Sequence, residues 1–314
     1  MRRTGPRAFW LSFFLTLAVA VPLLGGFAFW AIWQNQGAAD EAGRAQLDVA
    51  IRQPTAKNDF TTLVVVAGEQ PAFMLVRLNA PGSQAVVYAV PSQSVVNAPG
   101  GTALLADCYT SAGPARAAQL LSETLGIPIH HYLAATPASW ASALETLGSV
   151  RVNLSGPLKD QRVRELGRAG DPVVELAPAQ AGQVLDELGL ATPEREAVRA
   201  AIWQGVLRQK QELLPTALPD GLRAVSGTLL TDLTAVDLYT LAETLEFLAN
   251  SSAQVERGVL PGTVDARTAR YEFNQDTVDA AQLAFGRLKS GESEGGQASS
   301  GTGLSSAPGA AGAA

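Results

Sequence analysis

Residues 63–93 read LVVVAGEQPAFMLVRLNAPGSQAVVYAVPSQ, and the fold is decided here. The stretch divides into three strands, 63–66, 72–78 and 85–90, each a short run rich in Val, Leu, Phe or Tyr and bounded by breakers. Gly68 follows the first, and Asn79-Ala80-Pro81-Gly82 has the composition of a tight turn between the second and third. Pro91 ends the third, having no N–H to give to a ladder. The first strand is apolar on both faces, as suits a central strand covered by helices. The loops after the first and third strands, 68–71 and 91–94, are then expected at one edge of the sheet. In open α/β sheets that edge is where ligands bind.

The chain has 314 residues and a net charge of −6. Setting aside a charge-free amino-terminal run and a low-complexity tail leaves about 220–230 residues, enough for one sizeable α/β domain. Lys and Arg never cluster strongly, which argues against a nucleic-acid partner. A single cysteine, Cys108, excludes an intramolecular disulfide and a Cys-rich metal site. The two histidines, His130 and His131, are consecutive on an expected strand, so they point to opposite faces and cannot jointly hold a metal.

Arg2, Arg3 and Arg7 precede an uncharged run over 8–33. At about 1.5 Å per residue this run crosses a hydrocarbon core of roughly 30 Å with some tilt. Trp10 at one end and Trp30 and Trp33 at the other suit the two interfaces. The competing reading is a signal peptide cleaved after Ala18-Val19-Ala20, but the apolar run continues well past that point. We therefore expect a single-pass protein of the cell membrane: a cytoplasmic tail (1–7), a transmembrane helix (8–33), a juxtamembrane stalk (34–59), an extracytoplasmic domain (60–288) and a disordered Gly, Ser and Ala-rich tail (289–314).

Within the domain, 97–102 (NAPGGT) reads as an exposed loop without phosphate-loop spacing. Pro114 opens a helix closed by Gly126, and a strand follows over 127–135. Thr136-Pro137 caps a helix ending at Gly148, before a strand over 150–154. Residues 156–171 form a charged, solvated excursion. A short strand (173–176) and a helix (178–188) come next. A long helix then starts at Thr192-Pro193-Glu194 and runs to about Glu212, stopped by Pro215 and Pro219. Thr234 with Asp237 makes a capping box for a helix to Ala249. Strands over 255–260 and 269–273 and a helix from Asp276 complete the order. The expected fold is α/β: a mixed central sheet covered by helices in α/β/α layers, preceded by one transmembrane helix.

Several strings, taken in order, resemble the LytR-CpsA-Psr family over roughly residues 60–285. They are 63–68, Met74-Leu75-Val76 with Asn79, Val90-Pro91, Gly113-Pro114, and Leu125-Gly126-Ile127-Pro128-Ile129 with Tyr132. Residues 144–152, Leu176 with Gln180-Ala181, Leu230-Thr231-Asp232-Leu233 and Leu260-Pro261-Gly262 follow the pattern too. The resemblance implies a membrane-anchored extracytoplasmic domain that attaches glycopolymers from polyprenyl-phosphate carriers to peptidoglycan. That chemistry needs carboxylates for a divalent metal and arginines for a pyrophosphate.

The resemblance places those positions largely on uncharged residues. Gln70 stands where the family has an Asp, and Pro-Arg-Asp becomes Pro91-Ser92-Gln93. The Lys-Ile-Asn string falls on Leu104-Leu105-Ala106, one arginine falls near Asp186, and of an arginine pair Glu196 replaces the first while Arg199 matches the second. The leading expectation is a degenerate relative with little or no transferase activity and no cofactor. Its partners would be the membrane, a polyprenyl-linked lipid, a wall glycopolymer or an active relative. One alternative is an active phosphotransferase using Mg²⁺ or Mn²⁺, with Glu69 as a displaced metal ligand and Arg77 and Arg199 as phosphate contacts. The plain readings of Glu69 and Arg77 are a solvated loop carboxylate and a strand-end arginine reaching to water. A structural, membrane-tethered module is the remaining alternative.

Overall fold

The structure is a computed structural model that describes residues 52–155, 173–177 and 192–288. The expected transmembrane helix, most of the stalk, the helix over 178–188 and the tail lie outside them. Among the described residues no helix is long and apolar enough to cross a membrane.

The three opening strands form as read, each slightly longer: β1 (Asp59–Val66), β2 (Ala72–Asn79) and β3 (Gln84–Val90). They are antiparallel neighbours, with Val66 opposite Ala72 and Asn79 opposite Gln84. The 79–82 turn closes through the Asn79 side chain, whose Oδ1 accepts the Gly82 N–H at 2.9 Å. After the hairpin β4 (Val95–Ala98) and β5 (Gly101–Leu104) come β6 (His131–Ala135), β7 (Val150–Asn153), β8 (Val173–Leu176) and β9 (Leu230–Thr231). The last strands are β10 (Gln254–Val259), β11 (Thr263–Val264) and β12 (Tyr271–Glu272). The main sheet has six strands in the order β10-β3-β2-β1-β6-β9, with β6 parallel to β1 and β10 parallel to β3.

Alternation along the strands sorts the core into two layers. Val64, Met74, Val87 and Leu133 face one side, and Leu63, Val65, Phe73, Leu75 and Val86 face the other. The second layer is covered by α1 (Leu105–Leu125) and α6 (Gln275–Phe285). The first is covered by α2 (Pro137–Ala143), α3 (Thr192–Gln209), α4 (Leu214–Ala224) and α5 (Ala235–Asn250). Each fully buried Leu or Phe here contributes about 1.5–3 kcal/mol, so both faces must stay covered. The Thr234–Asp237 capping box that starts α5 is formed in both directions.

Several expectations are corrected. Residues 97–102 are not a plain loop but the tip of the β4–β5 hairpin: Asn97 pairs with Thr102 and Ala98 with Gly101 around a Pro99-Gly100 turn, where Gly100 takes φ 93°. The helix expected from Pro114 begins at Leu105 and is kinked at Gly113 (φ 80°), where glycine lets the chain swing into the proline. The strand over 127–135 pairs only from His131. Strand β7 leaves the main sheet and pairs antiparallel with β8, and the 269–273 strand reduces to a short hairpin of β11 with β12. Pro215 and Pro219 do not end helical structure. Pro215 sits in the first turn of α4, where its missing N–H costs nothing, Pro219 is buried, and Leu222 joins the core.

Candidate functional site

Strands β1, β3, β6 and β10 all end at the same sheet edge, fixed by the pairs Val66 with Ala72 and Ala135, Val90 with Phe73, and Val259 with Ala89. The loops 68–71 and 91–94 therefore meet the expectation of a shared edge. Glu69 and Gln70 are exposed there, and Ser92 and Gln93 are half-buried. Backbone rather than side chains holds the 91–94 turn. Ser92 O accepts from Ala106 N, Gln93 O from Tyr271 N at 2.9 Å, and Ser94 O from Leu105 N. Ser94 is fully buried and its hydroxyl has no hydrogen-bond partner among the described residues.

Helix α3 brings Glu196 and Arg199 to this end. Gln204 donates to Val255 O and, beyond the helix, Gln211 donates to Ala253 O, so α3 runs antiparallel to β10. One turn after Arg199, Trp203 meets Trp140 edge-to-face at 5.9 Å, and Trp140 Nε1 donates to Val65 O at the end of β1. Arg199 is 9% exposed and Glu196 4%, and Arg199 Nη1 donates to Glu196 Oε2. Burial pushes the Glu196 carboxyl above its usual range, and Arg199 pulls it part of the way back. The buried guanidinium is thus neutralised within its own helix.

Arg77 is not brought to this site. It lies five residues into β2, about 16 Å from the loop edge at 3.3 Å per residue. Its Nε and Nη2 each donate to Asp59 at 2.8 Å, and Nη1 donates to Ala284 O. Asp186 lies outside the described residues. His130 and His131 are engaged separately: His130 Nδ1 accepts from Thr61 N, while His131 lies 3.5 Å from Asp232 Oδ2. Reading the sequence gave no weight to the β11–β12 hairpin, which the Tyr271 to Gln93 hydrogen bond fastens to the loop edge with Arg267 and Arg270 exposed on it. The signal available was the Asp265 turn, whose carboxylate accepts from Arg267 N and Thr268 Oγ1.

No group of three or more His, Cys, Asp or Glu among the described residues is arranged to hold a metal ion. The positions that resemblance marks in the 68–71 and 91–94 loops carry Gln70, Ser92 and Gln93, and the one carboxylate in those loops is the neighbouring Glu69. Among the described residues this edge thus offers a divalent cation one protein carboxylate. An apolar crevice lined by Leu207, Leu214, Leu245, Leu248 and Val255 has about 10 Å³ of free space, room for roughly one water.

No protein-family model and no curated protein matches the sequence. Solved structures do. A putative transcription regulator from Eubacterium siraeum DSM 15702 superposes with a TM-score of 0.62 at 16% identity, over 76% of this chain and 95% of that one. The LytR-Csp2A-Psr enzyme from Actinomyces oris gives 0.55 at 18% identity, over 74% and 93%. TagT of B. subtilis gives 0.54 at 16% identity, over 75% and 95%, and TagT is also solved bound to LI-WTA and to LIIa-WTA. At these identities the likeness shows the fold: this chain has the fold of the LytR-CpsA-Psr proteins.

Proposed function

We propose that the chain is a membrane-anchored, extracytoplasmic protein of the cell envelope that binds an anionic polyprenyl-linked carrier or its glycopolymer and transfers it slowly or not at all. The observation that carries this reading is a preserved fold whose loop edge presents Gln70, Ser92 and Gln93, with its buried arginine neutralised by Glu196. The ligands of TagT, LI-WTA and LIIa-WTA, support a wall-polymer carrier as the ligand class. The alternative with relocated catalytic ligands loses Arg77, which is committed to Asp59 and Ala284. Arg199 would grip a phosphate, the exposed Arg267 and Arg270 would draw anions toward the edge, and the buried Ser94 turn would hold the loop in place.

A missing transition-state donor typically costs roughly 3 kcal/mol, a hundredfold or more in rate, and several are missing together. The test is full-length protein in detergent with a polyprenyl-pyrophosphate substrate and Mg²⁺ or Mn²⁺, beside Arg199→Ala. We expect binding without turnover, weakened in the variant. Metal-dependent turnover that disappears in the variant would overturn the reading in favour of an active transferase.

A further inference from the structure

The ion pair in α3 raises a question that stability does not answer. A buried ion pair is often no more stabilising than apolar residues of the same volume, because both charges lose their water. Here both members lie on one helix three residues apart, so among the described residues the pair ties no second element of the fold. It also sits on the helix half directed at the loop edge, one turn from the Trp203–Trp140 contact that anchors α3 over the end of β1.

We propose that Glu196 is a built-in counter-anion that occupies the seat of an external phosphate or pyrophosphate group on Arg199, so that an anionic head group binds only by displacing the Glu196 carboxylate. This rests on the anionic-carrier reading above and names the residue that limits it. Three features support it. The guanidinium of Arg199 is buried, so any anion reaching it interacts in a poorly screened setting. Glu196 already supplies the charge complement such an anion would bring. Glu196 is also the member that burial works against, because desolvation is the largest influence on its carboxyl.

The consequence runs against intuition: removing a charge from the protein should improve anion binding. The experiment is calorimetric titration of inorganic pyrophosphate into the full chain in detergent micelles at low salt. Glu196→Gln keeps the size of the side chain and leaves an amide oxygen to accept from Arg199, but it removes the competing charge. We expect at least tenfold tighter pyrophosphate binding than in the unaltered protein. Glu196→Asp, which keeps the charge but shortens its reach, should fall between the two. The double variant Glu196→Gln with Arg199→Gln should return to the weak binding of the starting protein.

Equal affinity in the unaltered protein and Glu196→Gln overturns the proposal, and so does a gain that persists without Arg199. If thermal melting shows that Glu196→Gln does not fold, Glu196→Asp decides: a gain supports the counter-anion and no gain refutes it. The two readings also fail separately. Carrier binding by the unaltered protein with no pyrophosphate gain in Glu196→Gln sinks the counter-anion alone. A gain in Glu196→Gln with no carrier binding sinks the carrier reading and leaves the latent anion seat standing.

Discussion

Arg77 donates through three nitrogens, two to the carboxylate of Asp59 and one to the Ala284 carbonyl. Its hydrogen bond to Asp59 holds the guanidinium pKa above its ordinary value against the opposing effect of burial. Its side chain is 18% exposed and that of Asp59 is 31% exposed, so the pair is only partly screened. Arg77→Ala should cost about 1–3 kcal/mol, read as a lower urea midpoint at unchanged slope. Arg77→Lys should recover part of the loss, since it restores charge but not the fork. A midpoint unchanged in the alanine variant would mean that the cluster holds nothing. At this scale the sequence was only partly legible. The spacing of Glu196 and Arg199 was visible as i,i+3, yet nothing in the string reveals that both are buried. Arg77 showed its charge but not its partner, because Asp59 lies eighteen positions upstream and meets it only across the β1–β2 pairing.

Helix α4 crosses α2 so closely that a Cβ on Gly221 would overlap the backbone carbonyl of Ala143. Backbone cannot yield as a flexible side chain can, so Gly221→Ala must move one helix. We expect a loss of about 1–3 kcal/mol, the usual cost of overpacking, on thermal or urea unfolding. Gly227→Ala, where nothing lies within 4 Å, is the matched control and should leave stability nearly unchanged. Elements with a simple signature were readable: β1, β2 and β3 are short apolar runs bounded by breakers and buried on both faces, and α5 announces itself by its capping box. Elements misread were those in which local chemistry says stop while packing says continue. Pro215 and Pro219 look like breakers, but α4 accepts one in its first turn and buries the other. Asn97-Ala98-Pro99-Gly100-Gly101 looks like open loop because it is rich in turn-forming residues, although only Pro99 and Gly100 are turn and the strands on either side are four residues each. Whether β7 joins the main sheet is a long-range choice that composition does not encode.

For the whole molecule, the Arg-flanked, Trp-bounded run over 8–33 leads us to expect a domain tethered outside the cytoplasm. In cells stripped of their wall, added protease should digest the domain, and the undigested protein should sediment with membranes. Full protection, or a shortened soluble form, would refute that topology. The Arg77 cluster carries a separate consequence. Asp59 lies where the chain begins the sheet and Ala284 where the last helix ends, so one guanidinium clasps the two ends of the fold together. A second tie, Leu288 N to Gly126 O at 2.9 Å, keeps the departing chain on that side. The two ends of the described domain thus lie on one side of the sheet. A circular permutant joining residue 288 to residue 54 through a short linker, with new termini opened at Pro99-Gly100, should fold and keep its order of strands. A fluorophore or bead attached at either natural end of the domain would hang from the side away from Gln70 and Gln93 and leave that edge unobstructed.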